Sequence, residues 1–273
     1  MSAVATFLHS QKRRDPLTPE RALALSYSPT GTSAAAARRL ASVFTHDPEA
    51  VDTTRHPLAL ELAPQDLVVL GAPVHDGRLP KEMAAHLSGI RGTFTPAVLV
   101  VTYGSRSFGT ALQDLGTWAR RQGFLPFAGV ALAGPHSQLT AAPCAGPATL
   151  SDGQEARLGT FARSALEALD RAETVFDLPG FEPPLGPALP DHPERDVKAS
   201  CDPDLCIGCG ACPAACPRQC IPAEEPYLTN LRRCNGCGAC VRTCPVGARE
   251  LEPEMALAAI RASLGLDGAA RGE

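Results

Sequence analysis

Along its first 170 or so residues the chain alternates short apolar runs with longer stretches in which apolar positions recur every three to four residues. The apolar runs predict strands over 21–27, 51–54, 67–72, 97–103 and 125–133. The amphipathic stretches predict helices over 33–44, 80–90, 109–121 and 154–170. Leu67 to Leu70 and Ala97 to Val101 are apolar at every position, so both faces of these strands must be covered. Such alternation gives a doubly wound parallel sheet with helices on its two faces.

Five strands in about 150 residues suit the strand order 2-1-3-4-5, in which a ligand sits beyond the carboxyl ends of strands one, three and four. Those three ends carry the polar and glycine-rich residues. After the first comes Ser28-Pro29-Thr30-Gly31-Thr32-Ser33, running into the helical Ala34 to Ala41. Hydroxyls and free amides at a helix start form an anion site that suits phosphate; the same residues serve equally as an N-cap. No Gly-Lys-Ser/Thr follows, so this is not a Walker loop, and no dinucleotide fingerprint is present. After strand three comes Pro73-Val74-His75-Asp76-Gly77-Arg78, and after strand four Tyr103-Gly104-Ser105-Arg106-Ser107-Phe108. His136 follows strand five, and Trp118 falls at core spacing on its helix.

Residues 178–199 include Pro179, Pro183, Pro184, Pro187, Pro190 and Pro193, a composition that reads as a stiff, extended linker. Beyond it the pattern changes entirely. Cys206, Cys209, Cys212 and Cys216 are repeated 28 residues later as Cys234, Cys237, Cys240 and Cys244. Each set has the spacing C-x2-C-x2-C-x3-C-P, the run of bacterial ferredoxins, in which the fourth cysteine ligates the other cube. The expected ligand sets are therefore Cys206, Cys209, Cys212 and Cys244 for one [4Fe–4S] cluster, and Cys234, Cys237, Cys240 and Cys216 for the second. Four thiolates also suit zinc, but eight ligands in a crossed duplicate are not the pattern of zinc knuckles. Cys201-x4-Cys206-x2-Cys209 mimics a plant-type [2Fe–2S] spacing, yet 28 residues after Cys201 stands Thr229, and Cys212 and Cys216 would be orphaned.

Composition adds limits. The net charge of −4 has both signs scattered, which argues against a nucleic-acid or anionic-membrane footprint. Eight of 11 cysteines belong to the repeat, leaving Cys144, Cys201 and Cys220, an odd number without a disulfide framework. Free thiols and cluster ligands point to a reducing, cytoplasmic setting. Lys12-Arg13-Arg14 precede no apolar run long enough for an export signal, and no stretch reaches the length of a membrane span. Residues 1–20 read as a disordered tail and 253–273 as a short helix and tail. The two domains between are 21–177 and 200–252.

On the phrases S-P-T-G-T-S, G-A-P-V-H-D-G-R-L-P, V-V-T-Y-G-S-R-S-F and G-P-H-S, followed by the cysteine repeat, the chain resembles a family of ferredoxin–flavodoxin fusions. The resemblance covers most of the chain. It implies a flavodoxin-like α/β domain binding FMN, then a small α+β bacterial-type ferredoxin domain with two [4Fe–4S] clusters. By the resemblance Ser28, Thr30, Gly31, Thr32 and Ser33 hold the FMN phosphate, while Pro73, Val74, His75, Tyr103, Gly104, Ser105, Arg106 and Phe108 flank the isoalloxazine. Many flavodoxins place two aromatics there; this chain offers His75 on one side and Tyr103 or Phe108 on the other. The implied role is an electron-transfer protein relaying between clusters, FMN and a redox protein partner, without a catalytic residue of its own. The alternatives are an FMN-dependent reductase of a quinone-like molecule fed by the clusters, and a redox sensor. The oligomeric state is left open, a dimer included.

Overall fold

The computed structural model describes residues 17–104, 107–137, 148–186 and 197–252. Among these residues seven strands belong to the first region: β1 (Arg21–Ser26), β2 (Glu49–Asp52), β3 (Ala59–Leu62), β4 (Asp66–Pro73), β5 (Gly89–Gly92), β6 (Thr95–Tyr103) and β7 (Phe124–Ala133). Five of them form a parallel sheet in the order β2-β1-β4-β6-β7. This is the expected 2-1-3-4-5 arrangement, a flavodoxin-like doubly wound sheet. The helices described in it are α1 (Thr32–Phe44), α2 (Met83–His86), α3 (Ala111–Arg121) and α4 (Asp152–Arg171).

Alternation along the strands sorts side chains to two cores. Ala22, Ala24, Leu67, Val69, Val98 and Val100 meet Ala37 and Leu40 of α1 and Leu158 and Ala162 of α4. Leu23, Leu25, Val68, Leu70, Leu99 and Val101 meet Met83 of α2 and Leu112 and Leu115 of α3. The small residues of α1 let it lie close: a side chain at Gly71 would put its Cβ 2.6 Å from the Ser33 carbonyl. α4 starts on a capping box formed by Ser151 and Gln154.

Three expectations change. The strand expected at 51–54 lies at 49–52, because Asp52 turns the chain by accepting the Thr54 amide at 2.9 Å. The helix expected over 80–90 is only the four residues of α2. Past Leu87 the chain becomes β5, which pairs with β3 in a separate two-stranded parallel sheet that the hydrophobic pattern does not predict. Leu62 and Ile90 of this pair are fully buried in the α2–α3 core, and that burial outweighs helix propensity.

The second region is small. Strands β8 (Ala199–Cys201) and β9 (Arg249–Leu251) pair antiparallel around two five-residue helices, α5 (Ala211–Ala215) and α6 (Ala239–Thr243). The sequence repeat is a structural one: each helix follows a left-handed glycine, Gly210 or Gly238, and each is capped by the fourth cysteine of its run. This is the ferredoxin-type α+β domain. Of the stretch between the regions, residues 181–186 lie on the first one. Phe181 covers Gly129, Pro183 covers Gly116, and the Gly186 amide donates to the Gly109 carbonyl at 2.7 Å. Residues 187–196, the 1–16 portion of the expected tail, Ser105, Arg106, Cys144 and the expected C-terminal helix at 253–273 lie outside the described residues.

Candidate functional site

At the carboxyl end of β1, Gly31 adopts φ 87° and starts α1 without a side-chain cap. The Ala34 amide takes the Ser28 hydroxyl as acceptor at 3.1 Å. The Ser33 hydroxyl is buried and pairs with that of Thr102 at 2.6 Å. Ser28 and Ser33 are thus engaged inside the fold. Thr30 and Thr32 are half-buried and make no side-chain hydrogen bond with a described residue, and the Thr32 and Ser33 amides have no described acceptor. Two hydroxyls and two amides at a helix start can hold a phosphate.

The loops after β4 and β6 are fixed beside it. His75 and Arg78 exchange both backbone hydrogen bonds at 2.9 Å around Asp76 (φ 49°) and Gly77 (φ 73°), a turn of type I′ built on Asp-Gly. The Gly77 carbonyl accepts the amides of Thr110 at 2.7 Å and Ala111 at 3.1 Å, tying this turn to the start of α3. The Val74 amide donates to Thr102, and that of Gly134 to Tyr103. A Cβ on Gly104 would come 2.3 Å from the Cα of His136, so these loops interlock. Tyr103 and Phe108 tilt against each other with centroids 5.6 Å apart. His75 and His136 are both half-buried, and burial lowers the pKa of each; Asp76 opposes this at both, and Glu82 at His75. The structure therefore brings Pro73, Val74, His75, Tyr103, Gly104 and Phe108 to one sheet edge, with Thr30 and Thr32 at the neighbouring helix start. Trp118 stacks on Phe124 at 6.0 Å, away from these loops.

In the second region one cavity is lined by Cys206, Cys209, Cys212 and Cys244, together with Cys201, Ala248 and Arg249. The fourth cysteine of the second run thus stands with three of the first. Burial raises the Cys244 pKa, but the backbone amides of Val246, Arg249, Ala248 and Gly247 outweigh it and leave the thiol below its usual value. Amides aimed at a sulfur in this way favour a bound anionic sulfide cage. The other set mirrors it: Cys237 is pushed up by burial and, further, by the charges of Cys240, Cys216 and Cys234. Beside this set lies Cys220, with its sulfur 3.3 Å from that of Cys216. Its thiol hydrogen bond brings Cys216 down to about 6 and Cys234 to about 5. Each set can hold an iron–sulfur cube.

The sets differ in exposure. The loop 205–209 is largely exposed, with Ile207 64% accessible. The loop 234–240 is largely buried; a Cβ on Gly236 would sit 2.3 Å from the Val197 carbonyl. This inner loop faces the first region through Glu82, whose side chain is 12% exposed. Glu82 Oε1 accepts the Tyr27 hydroxyl at 3.0 Å and the Asn235 amide at 2.5 Å. Its Oε2 pairs with Arg218 at 3.2 Å. Burial first, then Glu82 and Cys237, raise the Tyr27 pKa far above the phenol range, so the hydroxyl stays a donor. His86 steadies Tyr27 edge-on at 5.3 Å and donates from Nδ1 to the Thr53 carbonyl at 2.7 Å. Sequence reasoning missed Glu82, because a lone acidic residue near a helix start carries no periodic or motif signal.

Residues 205–248 match the family described as the 4Fe–4S dicluster domain. No curated protein sequence matches the chain. Similar solved structures include a protein of Bacteroides uniformis assigned as a flavoprotein, with 16% identity, 43% of this chain and 92% of that one covered, and TM-score 0.32. Another is the rubredoxin oxygen:oxidoreductase of Desulfovibrio gigas, with 17% identity, 57% and 38% covered, and TM-score 0.35. The Trp repressor binding protein of Bacillus subtilis matches at 11% identity, 56% and 99% covered, and TM-score 0.31. At such scores the likeness is one of outline, and the fold rests on the sheet order. An iron–sulfur domain behind a doubly wound sheet supports a redox role. Among the described residues, no helix is long and apolar enough to cross a membrane.

Proposed function

We propose that this chain is an electron-transfer protein relaying electrons between two [4Fe–4S] clusters and FMN, and on to a redox protein partner. When bound, the cubes carry single electrons and the flavin exchanges one- and two-electron steps. The eight cysteines of the repeat would hold the cubes. Thr30, Thr32 and the first amides of α1 would hold the phosphate. His75, Tyr103 and Phe108 would border the ring.

The observation that carries this reading is the Glu82 junction. One half-buried carboxylate collects Tyr27 from the end of β1 and both Arg218 and Asn235 from beside the inner cysteine set. It ties residues beside the inner cysteine run to the end of β1, next to the edge proposed for the flavin, while the loop 205–209 stays exposed for a partner. Docking within one chain makes the exchange first order rather than a matter of encounter. A second reading, an FMN-dependent reductase of a quinone-like acceptor, is favoured by His75, His136 and Asp76 gathered at the same edge, since these could supply protons.

The test is rapid mixing of anaerobically reconstituted chain with dithionite, followed separately at flavin and cluster wavelengths. The rate at which electrons reach the flavin should not depend on protein concentration. Glu82→Ala should slow it about tenfold or more while iron, sulfide and flavin content stay unchanged. A rate proportional to concentration, or indifference to Glu82→Ala, would contradict the relay. Rapid turnover of added quinone by the reduced chain would favour the reductase.

A further inference from the structure

The two halves of the cysteine repeat differ at one telling place. After Cys216 the chain reads Pro217-Arg218-Gln219-Cys220-Ile221, and after Cys244 it reads Pro245-Val246-Gly247-Ala248-Arg249. At the offset of 28, Arg249 occupies the position of Ile221. Ile221 is buried among apolar neighbours, 5% exposed. Arg249 is buried more deeply still, 1% exposed, on β9 opposite Cys201.

A guanidinium in a core needs neutralising charge as well as hydrogen bonds. Arg249 has some of the bonds: Nη1 donates to the Thr229 hydroxyl at 2.5 Å, and Nη2 to the carbonyls of Pro226 and of Leu228, the latter at 2.9 Å. It has no carboxylate partner among the described residues, and its Nε is buried without a hydrogen bond. The charge is not stranded by chance, because Arg249 lines the same cavity as Cys206, Cys209, Cys212 and Cys244. Its effect reaches the sulfurs: it opposes the rise that burial causes in Cys212 of this set through a hydrogen bond and charge, and in Cys240 of the other set through charge alone. What the half-satisfied cation lacks is an anion in that cavity. A cube held by four thiolates is one, and it gains a further negative charge on reduction.

We propose that Arg249 is the built-in counter-ion of the outer cluster, the one held by Cys206, Cys209, Cys212 and Cys244. It favours the reduced form there and sets the two clusters of the repeat at unequal potentials. A fixed positive charge in a medium of low dielectric acts strongly on the cluster whose cavity it lines and more weakly on the other. The outer cluster is therefore the higher-potential of the two. The positioning groups are Thr229 and the carbonyls of Pro226 and Leu228, which aim the guanidinium. Thr229 is itself the repeat partner of Cys201, so a second asymmetry of the two halves supports the first. This inference depends on an iron–sulfur cluster in that cavity and not on the flavin or on the relay.

The experiment is a dithionite titration of the full chain, anaerobically reconstituted and followed by EPR, in which each cluster takes up one electron. It is run in the Cys216→Ser background as well, where the outer cluster remains alone. Arg249→Gln should lower the reduced-to-oxidised ratio of the outer cluster at fixed potential about tenfold, a downward shift of about 59 mV for one electron. The inner cluster should move less. Arg249→Lys, which keeps the charge, should restore most of the shift. No shift with Gln, equal shifts at both clusters, or equal shifts with Gln and Lys would overturn the assignment. Should Arg249→Gln take up no iron, the lysine variant decides. Iron uptake with a near-native potential supports the counter-ion, and a lysine variant as empty as the glutamine one refutes it. An unsubstituted chain without acid-labile sulfide would instead remove the cluster reading itself.

Discussion

The sheet region and the cysteine-rich region are folded by different means. The sheet buries alanine, valine and leucine on both faces, and its cores are complete from side chains alone. Among its described residues the second region has a core of nine buried residues, four of them cysteines, of which Cys212, Cys234 and Cys240 belong to the ligand sets. Remove what those sulfurs bind and the core consists of unmatched thiols around Val197, Val241 and Leu251. Burial pushes the Cys240 thiol up to about 12, so without a bound cation it stays a neutral thiol. Hydrophobic burial makes the first region a scaffold that can wait for a ligand. The second is organised around its ligand, as domains too small for a sufficient apolar core must be.

The sharpest way to break that contrast is to remove the iron. Anaerobic chelation should unfold 197–252 and leave the sheet region intact. Limited trypsin digestion should then cut rapidly near Arg232 and Arg233 while a fragment spanning the sheet survives. Equal resistance of both regions after chelation would show that the second has a self-sufficient core.

A smaller perturbation tests how the two cysteine sets are wired. The intact chain should carry about eight iron and eight acid-labile sulfide. Cys216→Ser should lower this to about half, and cluster-resolved EPR should show the loss at the set of Cys234, Cys237 and Cys240. Loss instead at the sequence neighbours Cys206, Cys209 and Cys212 would contradict the crossed arrangement.

The smallest expected effect lies on the sheet side. Substituting Thr30 or Thr32 singly by valine should weaken FMN about ten- to a hundredfold, at about 1.5–3 kcal/mol for the hydrogen bond lost to a charged group. Riboflavin, without a phosphate, should be nearly unaffected, and the melting temperature should hold. Titration calorimetry with both flavins checks it; equal weakening of the two would mean that this loop shapes the domain instead.

Much of this was legible in the chain because it rests on local rules. The runs Leu67–Leu70 and Ala97–Val101 could only be buried strands, and the cysteine spacing is dictated by the reach of short loops around a cube. The β3–β5 pair was hidden, since Ala59-Leu60-Glu61-Leu62 and Gly89-Ile90-Arg91-Gly92 are too short to show a period and are strands only by tertiary burial. Sequence cannot show that Thr102, on a strand far along the chain, pairs with the Ser33 hydroxyl. Glu82 had no signal at all. Arg249 did have one: laying the second half of the repeat over the first sets an arginine on an isoleucine, and a charge at an apolar position of a repeat marks a buried cation.

The presence of Cys244 in a cavity with Cys206, Cys209 and Cys212 also has a consequence for how the chain is made. Apart from the Glu82 junction, the described sheet and its helices are held by contacts within residues 17–186, so this region can fold before either cysteine run is made. Neither cysteine set can close on the same terms. The outer one waits for Cys244, and the inner one joins Cys216 to residues not yet translated. At about 5–20 residues per second, the interval from Cys216 to Cys244 is on the order of seconds. During that time the first run presents three thiols able to catch zinc or oxygen before iron arrives. Loading is thus a race at the exit of the ribosome, and the outcome should depend on how quickly the second run follows the first.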